Sequence, residues 1–256
     1  MIRPCALFAP FLPPALTAAH AEALRRDGVC VVDRAVPAET VRALRRRLAA
    51  GGRFRKTRQP KAIRSDTVRW VHEDEQEFGL ELGLVHEDEA TAGALASTVR
   101  ALKGVGAHFE EVLGQALDAP SRCMAAVYAP PASPDEPSGY RPHLDHRPPD
   151  DDDLYWTWKS SREQSERVLT AILYLNEEDW SVERDGGQLR VFLECTDKDD
   201  TATAAEVRDV APIGGRLVVF KSREVPHAVL PVTGGKARMA LSCWHLLHHP
   251  STTDES

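Results

Sequence analysis

The 256-residue chain has no apolar run approaching the roughly 18 residues a membrane helix needs, so no membrane partner is expected. Its five cysteines, Cys5, Cys30, Cys123, Cys195 and Cys243, contain no C-x-x-C pair and are odd in number. That argues against a disulfide framework and against a structural zinc site, and it fits a reducing, intracellular, cytoplasmic compartment with the nucleus left open. A glycine-rich phosphate loop and a G-x-S-x-G elbow are both missing, so nucleotide-fold and serine-hydrolase readings lack support. The net charge of -7 gives no overall attraction to nucleic acid. Residues 42–64 are locally very basic, which is read as a solvated helix face and loop.

What is present changes character near residue 120. Before it, helical periodicity alternates with short strands: a helix from Thr17 to Arg26 stopped by Gly28, strand VCVVD at 29–33, and a helix from Pro37 to Gly51 and Gly52. Strand TVRWV follows at 67–71, then one long helix over 90–114. After it come seven short strands split by Gly, Pro and Asp turns: CMAAVYA, GYRPHLD, VLTAILYLN, GGQLRVFL, GRLVVFK, HAVLPV and ARMALSCWHL. Such spacing predicts an antiparallel sandwich or barrel, giving an α+β, mainly β fold. Residues 1–16 read as an irregular arm, 17–120 as a helical support within the same domain, 121–247 as the β core, and 248–256 as a disordered tail. The twice-occurring VHEDE, at 71–75 and 85–89, is too short for a solenoid repeat.

RPHLDHRPPDDDD, at 141–153, holds more candidate metal ligands than one ion needs. Side chains alternate along a strand, so Tyr140, Leu144 and His146 fall on one face and His143 and Asp145 on the other. H-x-D alone is a weak signal, because a hydrogen-bonded core pair has the same spacing. With His227 as a third ligand, His143 and Asp145 would form the two-histidine, one-carboxylate triad of non-haem Fe(II). Three iron positions then stay open, two for a 2-oxo acid and one for dioxygen. Arg238, eleven residues after His227, suits the far carboxylate of 2-oxoglutarate through a permanently charged fork.

H-x-D followed by a distal His and Arg on short strands resembles the Fe(II)- and 2-oxoglutarate-dependent dioxygenases. The match extends to the hypoxia-inducible-factor type of prolyl 4-hydroxylase through DGVCVVDRAVP, IRSDTVRW, MAAVYAP, GYRPHLDH, ILYLNEEDW, GGQLRVF, VPHAV and ARMALSCWH, over roughly residues 20–247. The resemblance implies a double-stranded β-helix (jelly-roll) barrel with N-terminal supporting helices. Iron would be held by His143, Asp145 and His227, and the far carboxylate of 2-oxoglutarate by Arg238 and Tyr174. Tyr128 would act nearer the metal, with Met124, Ile172, Leu189 and Val229 as apolar lining. Asp66, Arg167, Trp244 and Trp70 would surround the substrate mouth, although Asp66 and Arg167 could equally be one surface ion pair. The implied reaction hydroxylates C4 of a prolyl residue in a protein, with O2 as cosubstrate, ascorbate as reductant, and succinate and CO2 as products; a monomer is expected. Rival readings are a hydroxylase of a free amino acid or small metabolite, and a jelly-roll binding module without chemistry. A dinuclear zinc hydrolase of the H-x-H-x-D-H kind is disfavoured, because Arg141 stands where its first histidine belongs. Two departures from the family pattern stand out: the 146–166 segment is longer than usual, and Gly234, Gly235 and Lys236 lengthen the path to Arg238.

Overall fold

The computed structural model describes residues 16–50, 52–73, 89–133, 136, 138–146, 165–195 and 200–249. The predicted arm up to residue 15, the tail from 250, the second VHEDE up to residue 88, and most of the long polar segment, with Asp150 to Asp153, Trp156 and Trp158, lie outside the described residues.

Helix α1 (Ala18–Asp27) ends at Gly28, whose φ of 72° lets its N–H reach back to the Leu24 carbonyl. A side chain there would also meet Val225, since an added Cβ lies 2.9 Å from its Cγ2. Strand β1 (Val29–Val32), helix α2 (Ala38–Ala50), β2 (Arg55–Lys56) and β3 (Thr67–Val71) follow. The single helix expected over 90–114 is three pieces: α3 (Glu89–Gly104), a 3-10 turn (Gly106–His108) and α4 (Glu110–Leu113). The reason is local and tertiary at once. Gly104 and Gly106 are poor helix residues, and the Gly106 backbone passes so close to the buried His245 that a Cβ would fall 2.5 Å from its Nδ1.

The rest is β4 (Leu117–Asp118), β5 (Cys123–Tyr128), β6 (Tyr140–His143), β7 (Arg167–Tyr174), α5 (Val182–Asp185), β8 (Leu189–Leu193), β9 (Glu206–Val210), β10 (Leu217–Lys221), β11 (His227–Val229) and β12 (Arg238–Leu247). All seven expected strands of the second half are present. The short β2 and β4, and the charged β9, carried no apolar pattern to announce them.

Two antiparallel sheets form: one of eight strands in the order β1-β10-β7-β12-β5-β3-β2 with β4 on β12, and one of four in the order β6-β11-β8-β9. Thus β1, β2 and β3 of the first half belong to the large sheet. The alternation along β7 and β12 assigns the layers. Leu169, Ala171, Leu173, Leu241 and Cys243 pack toward α1, α2 and α3 in one core. Ile172, Tyr174 and Ala240 face the small sheet and pack with Leu189, Val191 and Val210 in a second. This is the expected double-stranded β-helix, with its helices on the outer face of the large sheet. Among the described residues no helix is long and apolar enough to cross a membrane.

Three cations of the basic 42–64 segment pair with groups far along the chain. Arg42 pairs with Glu178, Lys61 with Glu136, and Arg45 donates to the Leu175 carbonyl at 2.8 Å and Glu177 at 3.0 Å.

Candidate metal centre

Directly opposed residues of an antiparallel pair project to the same side, and β11 pairs with β6 so that His227 faces His143. The next matched pair is Val229 with Tyr140, so the step on β6 is one residue longer than on β11. The bulge falls around Pro142, which has no N–H to give to a ladder. It corrects the simple alternation: Tyr140 turns to the same side as His143, and their rings stack at 3.6 Å. Asp145 lies two residues beyond His143, where β6 has ended. His143, Asp145 and His227 each place one donor atom within 4.8 Å of the other two. The Nε2 atoms of His143 and His227 each lie 3.8 Å from an Asp145 carboxylate oxygen, Oδ1 and Oδ2 respectively.

The ring orientations fit a metal. A carbonyl only accepts, so His143 Nδ1–H donates to the Arg141 carbonyl (2.8 Å) and His227 Nδ1–H to that of Val225 (3.2 Å). Both Nε2 lone pairs are thereby left for an ion, the usual outer support of a histidine ligand. Burial, with the neighbouring His227 adding to it, pushes the His143 imidazole down to about 3, so it is neutral and able to bind at ordinary pH. Burial opposes ionisation of Asp145, but the neighbouring His227, His143 and Arg167 outweigh it and hold the carboxyl below its usual range. Thr170 Oγ1 donates to Asp145 Oδ2 at 2.8 Å, and Arg167 reaches the Asp145 carbonyl at 3.3 Å. His146 is outside the cluster; its backbone N–H donates to the Ser222 carbonyl at 3.2 Å.

Arg238 opens β12 opposite Tyr128, so the Gly234–Lys236 lengthening leaves it on its strand. Its Nε donates to the Gly187 carbonyl at 2.7 Å, and its guanidinium lies 5.2 and 5.1 Å from the Tyr128 and Tyr174 ring centres. Arg238 is 2% exposed, yet among the described residues no carboxylate pairs with it. The buried Tyr174 hydroxyl likewise has no partner there. A buried cation beside an orphaned hydroxyl is costly by itself and suits a ligand carboxylate. Burial pushes both phenols up, so they remain donors.

These groups share a cleft of about 1030 Å³. Met124, Tyr128, Ile172, Leu189 and Val229 line it, as do Asp66, Trp70, Arg167 and Trp244; Tyr174 alone of the predicted residues lies beneath the lining. At the mouth one expectation is corrected. Asp66 does not pair with Arg167 but takes a two-pronged contact from Arg64 at 2.6 and 2.8 Å, because residues two apart in extended chain share a side. Arg167 instead lies over Trp244 at 4.0 Å. Trp244 meets Trp70 at 6.1 Å, and Arg122 covers Trp70 at 4.0 Å.

Four contributors were missed from sequence: Tyr140, Arg64, Thr170 and Ser222. Thr170 carried a signal, as a polar residue in phase with Ile172 and Tyr174 on an apolar strand. Arg64 carried one too, standing two residues before Asp66 within IRSDTVRW. Ser222 carried none, because its partner is fixed by tertiary contact.

Comparison with known proteins gives the same picture. The family model described as "2OG-Fe(II) oxygenase superfamily" matches residues 123–246. A prolyl-4-hydroxylase from Pseudomonas putida is 31% identical with a TM-score of 0.62, covering 91% of this chain and 99% of that one. A Trichoplax adhaerens prolyl hydroxylase, solved with a hypoxia-inducible-factor peptide, shares the fold at 20% identity and a TM-score of 0.60, over 89% of this chain and 87% of that one. The hypoxia-inducible factor prolyl hydroxylase of Caenorhabditis elegans is 29% identical over 187 residues, 73% of this chain; the match spans 20% of that relative's length.

Proposed function

Since this chain belongs to the 2OG-Fe(II) oxygenase superfamily, with its relatives among the prolyl hydroxylases, we propose that it hydroxylates C4 of a prolyl residue in a peptide or protein. The observation that carries the reading is the pairing, in one cleft, of the His143, Asp145 and His227 cluster with a buried Arg238 that has no carboxylate of its own among the described residues. Bound Fe(II) with 2-oxoglutarate supplies the oxidative chemistry: O2 gives one oxygen atom to the substrate carbon and one to succinate, with loss of CO2. Ascorbate serves as reductant.

The chain's residues do the rest. His143, Asp145 and His227 would hold the ion, with 2-oxoglutarate and O2 brought to it in the same cleft. Arg238 and the Tyr174 hydroxyl bind the far carboxylate of 2-oxoglutarate, and Met124, Ile172, Leu189 and Val229 exclude water around it. Tyr128 offers a neutral hydroxyl within the same cleft. Arg167, Trp244, Trp70 and Asp66 form the substrate mouth, Asp66 by keeping Arg64 in place. A peptide substrate is favoured over a free amino acid by the cleft's size and by two apolar side chains at its rim, Ile63 and Trp70, each 37% exposed.

The test is mass spectrometry of prolyl peptides incubated with the purified chain, Fe(II), 2-oxoglutarate and ascorbate. The expected result is a gain of one oxygen on proline with equimolar succinate. Succinate release with no peptide oxidised across a broad peptide library would overturn the prolyl reading in favour of a small-molecule substrate.

A further inference from the structure

Asp145 is the least anchored ligand by backbone alone: it lies past the end of β6, outside the ladder that fixes His143 and His227. Its carboxylate is instead held from the large sheet. Thr170, fully buried on β7, donates its hydroxyl proton to Asp145 Oδ2 at 2.8 Å. The same Thr170 oxygen lies 2.8 Å from the hydroxyl of Ser222, also fully buried and just beyond β10. A threonine hydroxyl has one proton, and here it goes to the carboxylate, so Ser222 must be the donor to Thr170. The result is a two-hydroxyl chain ending on an ionised oxygen, in which each bond polarises the next. Ser222 also accepts the His146 N–H at its carbonyl, at 3.2 Å, and gives its own N–H to Val168 at 2.9 Å. One residue thus fixes both the chain leaving Asp145 and the hydroxyl that grips its side chain.

Resting on the metal assignment above, we infer that Thr170, braced by Ser222, is a positioning residue for Asp145. It occupies one lone pair on Oδ2, sets the carboxylate's rotation before the ion arrives, and disfavours a grip on the ion by both oxygens. The arrangement is preorganised. Losing it is felt as weaker metal binding, not as a lost contact with substrate.

The experiment titrates Mn(II), a redox-inert probe ion, into native chain, T170V, T170S, S222A, T170V/S222A and H227A, followed by the ion's magnetic resonance signal. Thermal unfolding is recorded in chelator. Supporting hydrogen bonds of this kind are typically worth roughly ten- to a hundred-fold in metal affinity, the loss expected for T170V, whose side chain keeps the shape of threonine. T170S, which keeps the hydroxyl, should restore most of it. S222A should lose less, and its effect should vanish in the T170V background, because Ser222 acts through Thr170. T170V binding Mn(II) like native chain, or S222A and T170V acting additively, would overturn the positioning role alone. Native chain binding Mn(II) no better than H227A would overturn the metal assignment and the inference with it. Metal-free unfolding should fall modestly for T170S through the loss of one buried methyl, so the positioning role is read from the metal affinity, kept by T170S and lost by T170V; a loss of affinity in T170S as large as in T170V would reduce the role to a structural one.

Discussion

A single side chain separates the site from an ordinary barrel core. Arg238 is buried without a carboxylate among the described residues, a state that is unfavourable unless a ligand completes it. R238M is therefore expected to weaken 2-oxoglutarate binding by about 2–5 kcal/mol, the usual result of removing one member of a buried charge pair, with Mn(II) affinity unchanged. Calorimetric titration of 2-oxoglutarate into the Mn(II)-loaded chain measures this; an unaltered affinity would place the far carboxylate elsewhere. Arg238 was legible from sequence because its chemistry is unambiguous and its spacing from His227 fits a strand. The role of Asp66 was less so: its pairing with Arg64 follows from i, i+2 spacing, but that Arg167 turns away to Trp244 depends on how β7 and β12 are placed, which no local pattern encodes. Tyr140 was misplaced for another reason, a one-residue bulge that reverses facing.

At the level of elements, β12 serves two layers. Arg238, Ala240, Ser242 and Trp244 line the cleft, while Cys243 and His245 press against the helical layer. Burial pushes His245 down to about 4, with a bond to the Leu102 carbonyl only partly opposing it. A histidine held neutral in the fold but free to protonate when unfolded favours unfolding in acid. Its contribution is intact above pH 6.5 and falls by roughly 3 kcal/mol as the pH drops to about 4. Chemical denaturation of the metal-free chain across that range should show the loss, and H245Q should make it shallower, leaving the share of His143, which is also held neutral. Equal slopes for the two proteins would show that His245 is not buried neutral. The same contact makes G106A costly, by about 1–3 kcal/mol, because the new Cβ meets the His245 ring. The helix over 90–114 was expected unbroken since Ala-rich periodicity runs through it; the interruption is imposed by packing against β12, which lies far along the chain.

Across the whole molecule, the layers explain why a carboxylate and two imidazoles from separate strands meet. The small sheet brings His143 and His227 together by pairing, and the large sheet supplies Thr170 and Arg238 from the facing side. The β-rich second half was readable from period-two alternation and turn residues, whereas the strand order of the two sheets was not. The mouth was readable only as a set of residues, not as an arrangement. Its ordered run Arg122, Trp70, Trp244 and Arg167 crosses from the residue before β5 and from β3 to β12 and β7. An exposed tryptophan held between partners is a natural anchor, so W70A is expected to raise the peptide KM by more than about 1 kcal/mol equivalent. The turnover number and the KM for 2-oxoglutarate should stay unchanged, as steady-state kinetics with each varied in turn would show.

The account depends most on where one ion binds. A crystal structure grown with Mn(II) and 2-oxoglutarate, with anomalous scattering collected to locate the metal, should show a single peak bounded by His143 Nε2, Asp145 and His227 Nε2, with the far carboxylate of 2-oxoglutarate on Arg238. A peak elsewhere, or a fully loaded crystal with none between those three side chains, would contradict it.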